Sequence, residues 1–254
     1  MMLREVRAQS LQELALIHDG YVIRISNNIG AFPFNLSQLF RDNFMQNENT
    51  CIGTNLLSSP QAIKELQREC RGILKENISF AARNLTNGEL AAIAVNHLMS
   101  SKLQNASLGD AMNNFQSPEM KCIFGVLQRI ESSVDIYRAL EIDSVIEIVF
   151  LSTGANYVQR GLASILSEHS INYARRLLSG TLAEEDLPAA HVRTLKPAAV
   201  CSIFTSLFTQ RIGRKFNFEI LNKVPFSEFS FEGKTFAERI DPIHEFATFE
   251  ALRL

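Results

Sequence analysis

Residues 145–151 read VIEIVFL, a β-branched and aromatic run with a single charge, which is the pattern of a central strand covered on both faces. Such a strand needs neighbours to either side and helices against the sheet, which confines the chain to a mixed α/β class with one sheet. The small and polar stretch 152–161, STGANYVQRG, follows it. Leu162, Ile165, Leu166, His169, Tyr173 and Leu177 then recur at helical spacing, so the sequence predicts strand, loop with Gly154 and Gly161, and helix.

The remaining elements group around this unit. Residues 21–25, YVIRI, read as a short strand, with a turn at Asn27-Asn28-Ile29-Gly30, and residues 36–45 read as a helix that runs into the polar stretch 46–50. Ser59-Pro60 and Ser117-Pro118 both combine an N-cap with proline at the first helical position. Ile63, Leu66, Cys70, Ile73 and Leu74 form the apolar stripe of the first helix; Ile123, Phe124, Val126, Leu127 and Ile130 form that of the second. Between them, 78–85 and 89–98 read as strands joined by Thr86-Asn87-Gly88, where Asn-Gly offers the positive φ angles of a tight hairpin. Residues 100–116 read as an exposed loop. Beyond a polar link at 180–197, an apolar run at 198–204, a helix at 205–216 and closing strands at 218–226 and 246–254 complete the order.

The chain has 254 residues, of which 46% are hydrophobic and 20% charged, enough to bury a core and too many to remain disordered. Its net charge of −2 supplies no general attraction for nucleic acid or anionic lipid, so neither is an expected partner. Cys51, Cys70, Cys122 and Cys201 lie far apart, without zinc-ligand spacing, and are expected as reduced thiols with no bound metal. The opening 20 residues mix acidic and apolar positions at helical spacing, and no apolar run is long enough for a membrane span, so a cytoplasmic protein is expected. Sequons at Asn35, Asn77, Asn84 and Asn105 are of the number that chance produces in an Asn-rich chain.

A helix that starts directly after a small-residue loop presents unpaired N–H groups and the positive end of its dipole to one point, which favours an anion. Here Val158, Gln159, Arg160, Gly161, Leu162, Ala163 and Ser164 would form that cradle, with Gly161 and Ala163 small enough for phosphate to approach the main chain. A glycine at such a turn also serves packing alone. There is no GxxxxGK[ST] segment and no GxGxxG after a strand, which sets aside nucleotide hydrolysis and Rossmann dinucleotide binding.

The order of elements and four segments resemble the insect arylalkylamine N-acetyltransferases, a branch of the GNAT superfamily of acyl-CoA-dependent acyltransferases. The segments are NISFAARNLTNGELAAIAVNHLM (77–99), VDIYRALEIDSVIEIVFLSTGANYVQRGLASIL (134–166), SIFTSLFTQRIGRKFNFEI (202–220) and VPFSEF (224–229). The resemblance implies a single mixed, mostly antiparallel twisted sheet flanked by helices and splayed at the central strand. It would occupy residues 21–254, after an N-terminal extension at 1–20. It also implies acetyl-CoA or another acyl-CoA as co-substrate, with pantetheine along Leu151, Ser152 and Thr153 and pyrophosphate on the loop at 158–164. Val158 and Gln159 depart from the Tyr-Arg-Gly-Arg-Gly-Ile-Ala type of run found in the family. The first removes a guanidinium; the second places a side chain where phosphate approaches.

The expected acceptor is an arylalkylamine or related primary amine, with no covalent enzyme intermediate, and a monomer is the expected state. An amine must lose its proton before it attacks a thioester. Glu48 matches the glutamate of the family's Asp-Glu-Pro-Leu segment and is the implied base; read alone, a glutamate in a polar loop is a solvated charge. Thr205 and Thr209 occupy the places of two family serines near the departing sulfur; read alone, Thr205 is an N-cap and Thr209 an ordinary helix residue. His169 reads as a core histidine, His97 and His244 as strand-edge residues, and Cys51 as a lining residue without an activating partner. Some of the 18 Phe side chains are expected around the acceptor's aryl group. The departures from the family pattern also leave open a diverged, weakly active or inactive acyl-CoA-binding protein.

Overall fold

The computed structural model describes residues 16–18, 20–25, 34–102 and 114–254. The turn expected at 27–30, most of the 100–116 loop, the Asn105 sequon and nearly all of the 1–20 extension lie outside these residues. Ten strands are present among them: β1 (Leu16–His18), β2 (Tyr21–Ile25), β3 (Phe80–Asn84), β4 (Leu90–Ser100), β5 (Ser144–Thr153), β6 (Ala199–Phe204), β7 (Glu219–Pro225), β8 (Ser230–Phe231), β9 (Lys234–Thr235) and β10 (Phe246–Arg253). Eight of them form one sheet in the order β1-β2-β3-β4-β5-β6-β10-β7, while β8 and β9 pair separately. Within the large sheet every pairing is antiparallel except β5 with β6. This is the mixed, mostly antiparallel sheet that the sequence led us to expect.

The helices follow their caps. Helix α1 (Phe34–Leu39) passes through a π-helical turn, Phe40–Phe44, into α2 (Met45–Asn47), and a short α3 (Asn49–Gly53) follows at once. Ser59 accepts the Ala62 N–H and starts α4 (Pro60–Leu74); Ser117 accepts the Met120 N–H and starts α5 (Pro118–Glu131). Helix α6 (Ile136–Ala139) is a single turn, α7 (Leu162–Ser179) is the longest helix, and α8 (Leu207–Lys215) precedes β7. Helix α8 is capped by Ser206, with Thr209 returning the bond, so the cap lies one residue after Thr205.

The hairpin between β3 and β4 is wider than its sequence suggested. Asn84 N–H bonds to Glu89 O across a loop in which only Gly88 takes a positive φ, +69°, so Asn87 does not share the left-handed conformation. Asn87 and Glu89 instead use their side chains on Tyr157, which fastens the hairpin tip to the loop after β5.

Three core clusters form, one on one face of the sheet and two on the other. Helix α7 buries Leu166, Ile171, Ala174 and Leu177 against β2 to β6. Its Ser170 lies against Asn96 of β4, whose amide also reaches Ile78 O, so this buried polar pair is well bonded. On the other face α1, α4 and α5 cover β4 and β5, and α5 continues across to β6, β10 and β7. The sheet halves are thus joined on this face by one helix.

Candidate active site

Strands β5 and β6 pair over only three positions, Val145 with Ala199, Ile146 with Val200 and Glu147 with Cys201. Both strands continue, but apart. The cause sits next to the last pair: the β4 register slips between Val95 and Asn96, leaving Val149 of β5 without a partner residue. Such a bulge sharpens local twist and turns the strand away from its neighbour. Ser202 Oγ donates to Ile148 O at 2.8 Å and closes the vertex of the opening.

Beyond the vertex no described strand pairs with this edge of β5. Gly154 N–H donates to Ala91 O at 2.8 Å, and in an antiparallel ladder the groups facing a given neighbour alternate. The N–H and C=O groups of Leu151 and Thr153 therefore face the opening, ready for an extended ligand, while those of Ser152 face β4. Below this edge lies a cavity of about 1070 Å³ lined from β5, β6, α2, α3, α4, α5 and α6. Phe44, Phe124 and Phe150 supply ring surface within it. Phe44 stacks on Phe40 at 5.0 Å, and both meet Phe150 edge to face.

The loop at 154–161 is built to leave amides free. After a 3-10 turn at Ala155–Tyr157, the buried Tyr157 packs edge to face on Tyr21 and donates to Glu89. The chain then takes a left-handed conformation at Gln159 (φ +60°) and again at Gly161 (φ +76°), and α7 begins with no side-chain cap. Among the described residues no acceptor meets the N–H groups of 158–164, and a Cβ on Gly161 would meet open space. These free amides form a concavity on a helix N-terminus, a geometry that suits an anion. Arg160 is turned away from it, bonded to Tyr21 Oη at 2.9 Å and Asn156 O at 3.0 Å. Lys215 of α8 stands there, its Nζ 2.7 Å from Ser164 Oγ. The two residues are 51 apart in sequence, and nothing local links them.

Glu48 lines the cavity as the N-cap of α3. Its carboxylate accepts from Thr50 N–H at 3.0 Å, Cys51 N–H at 2.9 Å and Thr50 Oγ1 at 2.5 Å. A carboxylate has about four acceptor sites, so roughly one remains for a further donor. Asn49 Nδ2 donates to Thr205 O at 2.6 Å and ties this helix to the end of β6. Thr205 and Thr209 both line the cavity, but Thr209 Oγ1 is committed to Ser206 O and Ser206 N–H. Cys51 also lines it, with its thiol pushed up by burial and by Glu48, which keeps it protonated.

His97 and His244 have partners that the sequence did not indicate. His97 Nδ1 lies 2.6 Å from Glu76 Oε1, while His244 Nδ1 accepts Leu207 N–H at the start of α8. His169 packs on Phe80, as a core histidine would. Two further residues went unnoticed in sequence. Glu131, at the end of α5, and Glu147, on β5, both line the cavity. Burial raises both carboxyls, Glu131 to about 7, and the Glu131 charge raises Glu147 further. Among the described residues no group of three or more His, Cys, Asp and Glu is placed to hold a metal ion, and no helix is long and apolar enough to cross a membrane.

Two strands that part after three pairs, a bulge in the central one and free amides at the start of the next helix set the frame of this site. Solved structures share the fold. The chain is similar to arylalkylamine N-acetyltransferase 2 from Aedes aegypti, with 20% identity over 86% of this chain and 93% of that one and a TM-score of 0.70. It is similar to mosquito arylalkylamine N-acetyltransferase like 5b, at 13% identity over 92% and 100% of the chains and TM-score 0.74. A polyamine N-acetyltransferase from Drosophila melanogaster that forms N-acetylagmatine matches at 17% identity over 87% and 94%, with TM-score 0.67. No protein-family model matches the sequence, and no curated protein matches it in a sequence search. The likeness is one of fold.

Proposed function

We propose that the protein is an acyl-CoA-dependent N-acyltransferase that acetylates a primary amine by direct attack on the thioester. The observation that carries this reading is the pairing of a free β5 edge at Leu151 and Thr153 with an open amide nest at 158–164, at the two ends of one loop. An extended chain of amides ending in a diphosphate fits that combination: pantetheine adds to the strand, and pyrophosphate takes the nest with Lys215 beside it. The arylalkylamine and polyamine acetyltransferases of the same fold support the amine as acceptor.

In this reading the cavity receives the amine, and Glu48 takes its proton through the remaining acceptor site, directly or through a water. The neutral nitrogen forms a bond to the thioester carbon. The tetrahedral intermediate then collapses with rupture of the C–S bond, and the proton that the nitrogen gives up passes to the departing thiolate through the Thr205 hydroxyl, which donates one proton and regains the other; Thr205 is the less committed of the two threonines. Phe44, Phe124 and Phe150 surround the apolar part of the acceptor.

A second reading, a diverged acyl-CoA-binding protein with little turnover, draws on Gln159, whose side chain leaves from a left-handed residue within the nest, and on the three bonds already held by Glu48. Calorimetric titration with acetyl-CoA beside a thiol-release assay over a panel of amines separates the two. Binding with release of CoA supports transfer. Binding alone supports the second reading, and an absence of both overturns each of them.

A further inference from the structure

The turn between β5 and α7 is held by residues that do not line the cavity. Tyr157 Oη donates to Glu89 at 2.5 Å and accepts Asn87 Nδ2 at 3.2 Å and Asn84 Nδ2 at 3.5 Å. A phenol has one donor and two acceptor sites, so this hydroxyl is saturated, and all its partners belong to the β3-β4 hairpin, 68 to 73 residues away in sequence. On the ring itself Tyr21 packs edge to face at 6.1 Å, and the Arg160 guanidinium lies 5.4 Å from the centroid. Arg160 also donates to Tyr21 Oη at 2.9 Å and to Asn156 O at 3.0 Å. An exposed arginine ordinarily keeps its rotamer freedom; this one gives it up to three contacts, one of them 139 residues away.

The backbone shows what these contacts hold. Gln159 has φ +60° and Gly161 φ +76°, with Arg160 between them. Glycine takes that conformation freely, whereas a left-handed residue with a side chain persists only where its surroundings hold it. The exposed Gln159 side chain has no hydrogen-bond partner among the described residues, so it does not hold itself. The fixed points are Tyr157 before it and Arg160 after it. If Gln159 relaxed to negative φ, the adjoining peptide planes would rotate and the N–H groups of this turn would no longer converge.

We propose that Tyr157 and Arg160 are positioning residues for acyl-CoA: pinned by the β3-β4 hairpin and by Tyr21, they keep Gln159 left-handed and the amides of the turn aimed at the diphosphate. The inference rests on the acyl-CoA reading of the loop and adds which residues set its shape. Arg160 then acts through the backbone it fixes, and not as the phosphate ligand that the resemblance implied.

The test measures CoA binding by calorimetry, and acetyl transfer from acetyl-CoA and from S-acetylpantetheine to the best acceptor of the amine panel, in wild type, Tyr157→Phe and Tyr21→Phe. Each variant removes one hydroxyl and keeps the ring and the charge. CoA should bind roughly threefold to tenfold more weakly in each, and the acetyl-CoA to S-acetylpantetheine ratio of kcat/KM should fall by a similar factor, because pantetheine carries no diphosphate. Adding Gln159→Gly should restore most of the loss, since glycine needs no support at φ +60°. A Kd and ratio unchanged in either variant overturn the proposal, as does an equal loss with both donors, which general damage would give. A loss that Gln159→Gly leaves in place overturns it too, and so does tighter CoA binding in Tyr21→Phe, which a freed Arg160 reaching phosphate would give. Weaker CoA binding that Gln159→Gly restores, in a protein that acetylates no amine, retains the clamp and refutes the transferase reading. Turnover with Kd and ratio unaltered does the reverse, and a wild type that binds no CoA refutes both.

Discussion

Glu65 offers a test of how the cavity wall is held. It sits on α4, only 2% exposed, and receives Gln61 Nε2 at 2.8 Å, Gln116 N–H at 2.9 Å, Ser117 N–H at 3.2 Å and Ser117 Oγ at 2.5 Å. The last three belong to the start of α5, so one carboxylate fastens the helix that carries Glu131 to the helix that carries Leu66 and Ile73. Burial works against its charge, but the four hydrogen bonds win and hold the carboxyl down to about 2 from its ordinary 4.5. At 1.36 kcal/mol per pKa unit this difference corresponds to about 3 kcal/mol. The carboxylate lies close beneath the surface, where water screens part of the effect, so about 2 kcal/mol is the expected contribution. A depressed carboxyl contributes its stability fully above the unfolded value and loses it as pH falls through the folded one. Denaturant unfolding of wild type and Glu65→Gln should therefore differ by about 2 kcal/mol at pH 7. The gap should narrow below pH 4.5 and approach zero toward pH 2. Equal stability at pH 7, or a gap that does not change with pH, would refute the linkage.

Three further outcomes are expected. Glu48→Gln should lower kcat at neutral pH while the acetyl-CoA Kd stays within about twofold, because Glu48 caps α3 and the edge proposed for acyl-CoA belongs to β5; an unchanged kcat removes Glu48 from the mechanism. Gln159→Gly should tighten acetyl-CoA in calorimetry, since glycine takes φ +60° without strain and clears the nest, whereas weaker binding would make the Gln159 side chain a ligand. Gly53→Ala drives a Cβ into the ring of the fully buried Phe236, and this overpacking should cost about 1–3 kcal/mol in thermal or denaturant unfolding. Unaltered unfolding would mean that α3 shifts freely, and Glu48 with it.

Much of the secondary structure was legible. Ser59-Pro60 and Ser117-Pro118 start their helices where local capping chemistry says they must, and the strand at 145–151 lies inside Ser144–Thr153. Where reading fell short, tertiary contacts had overridden local preference. Helix α3 has the unpromising sequence NTCIG, and it exists because Glu48 caps it and Asn49 ties it to β6. The turn at 86–88 carries the Asn-Gly signal, yet the Asn87 side chain is drawn to Tyr157, far along the chain, and only Gly88 turns left-handed. The β8-β9 pair is two residues per strand, too short for a periodic signal.

The sequence by itself determined most of the longer strands and helices and the two Ser-Pro caps, because each of these depends on neighbours a few residues away. It could not determine that β10 inserts between β6 and β7, or that β5 and β6 part after three pairs. Nor could it bring Lys215 to Ser164, or place Glu131 from a helix and Glu147 from a strand on one cavity. Those arrangements depend on strand register and helix packing. Register is a property of pairs of segments, and only the folded sheet decides which side chains share a space.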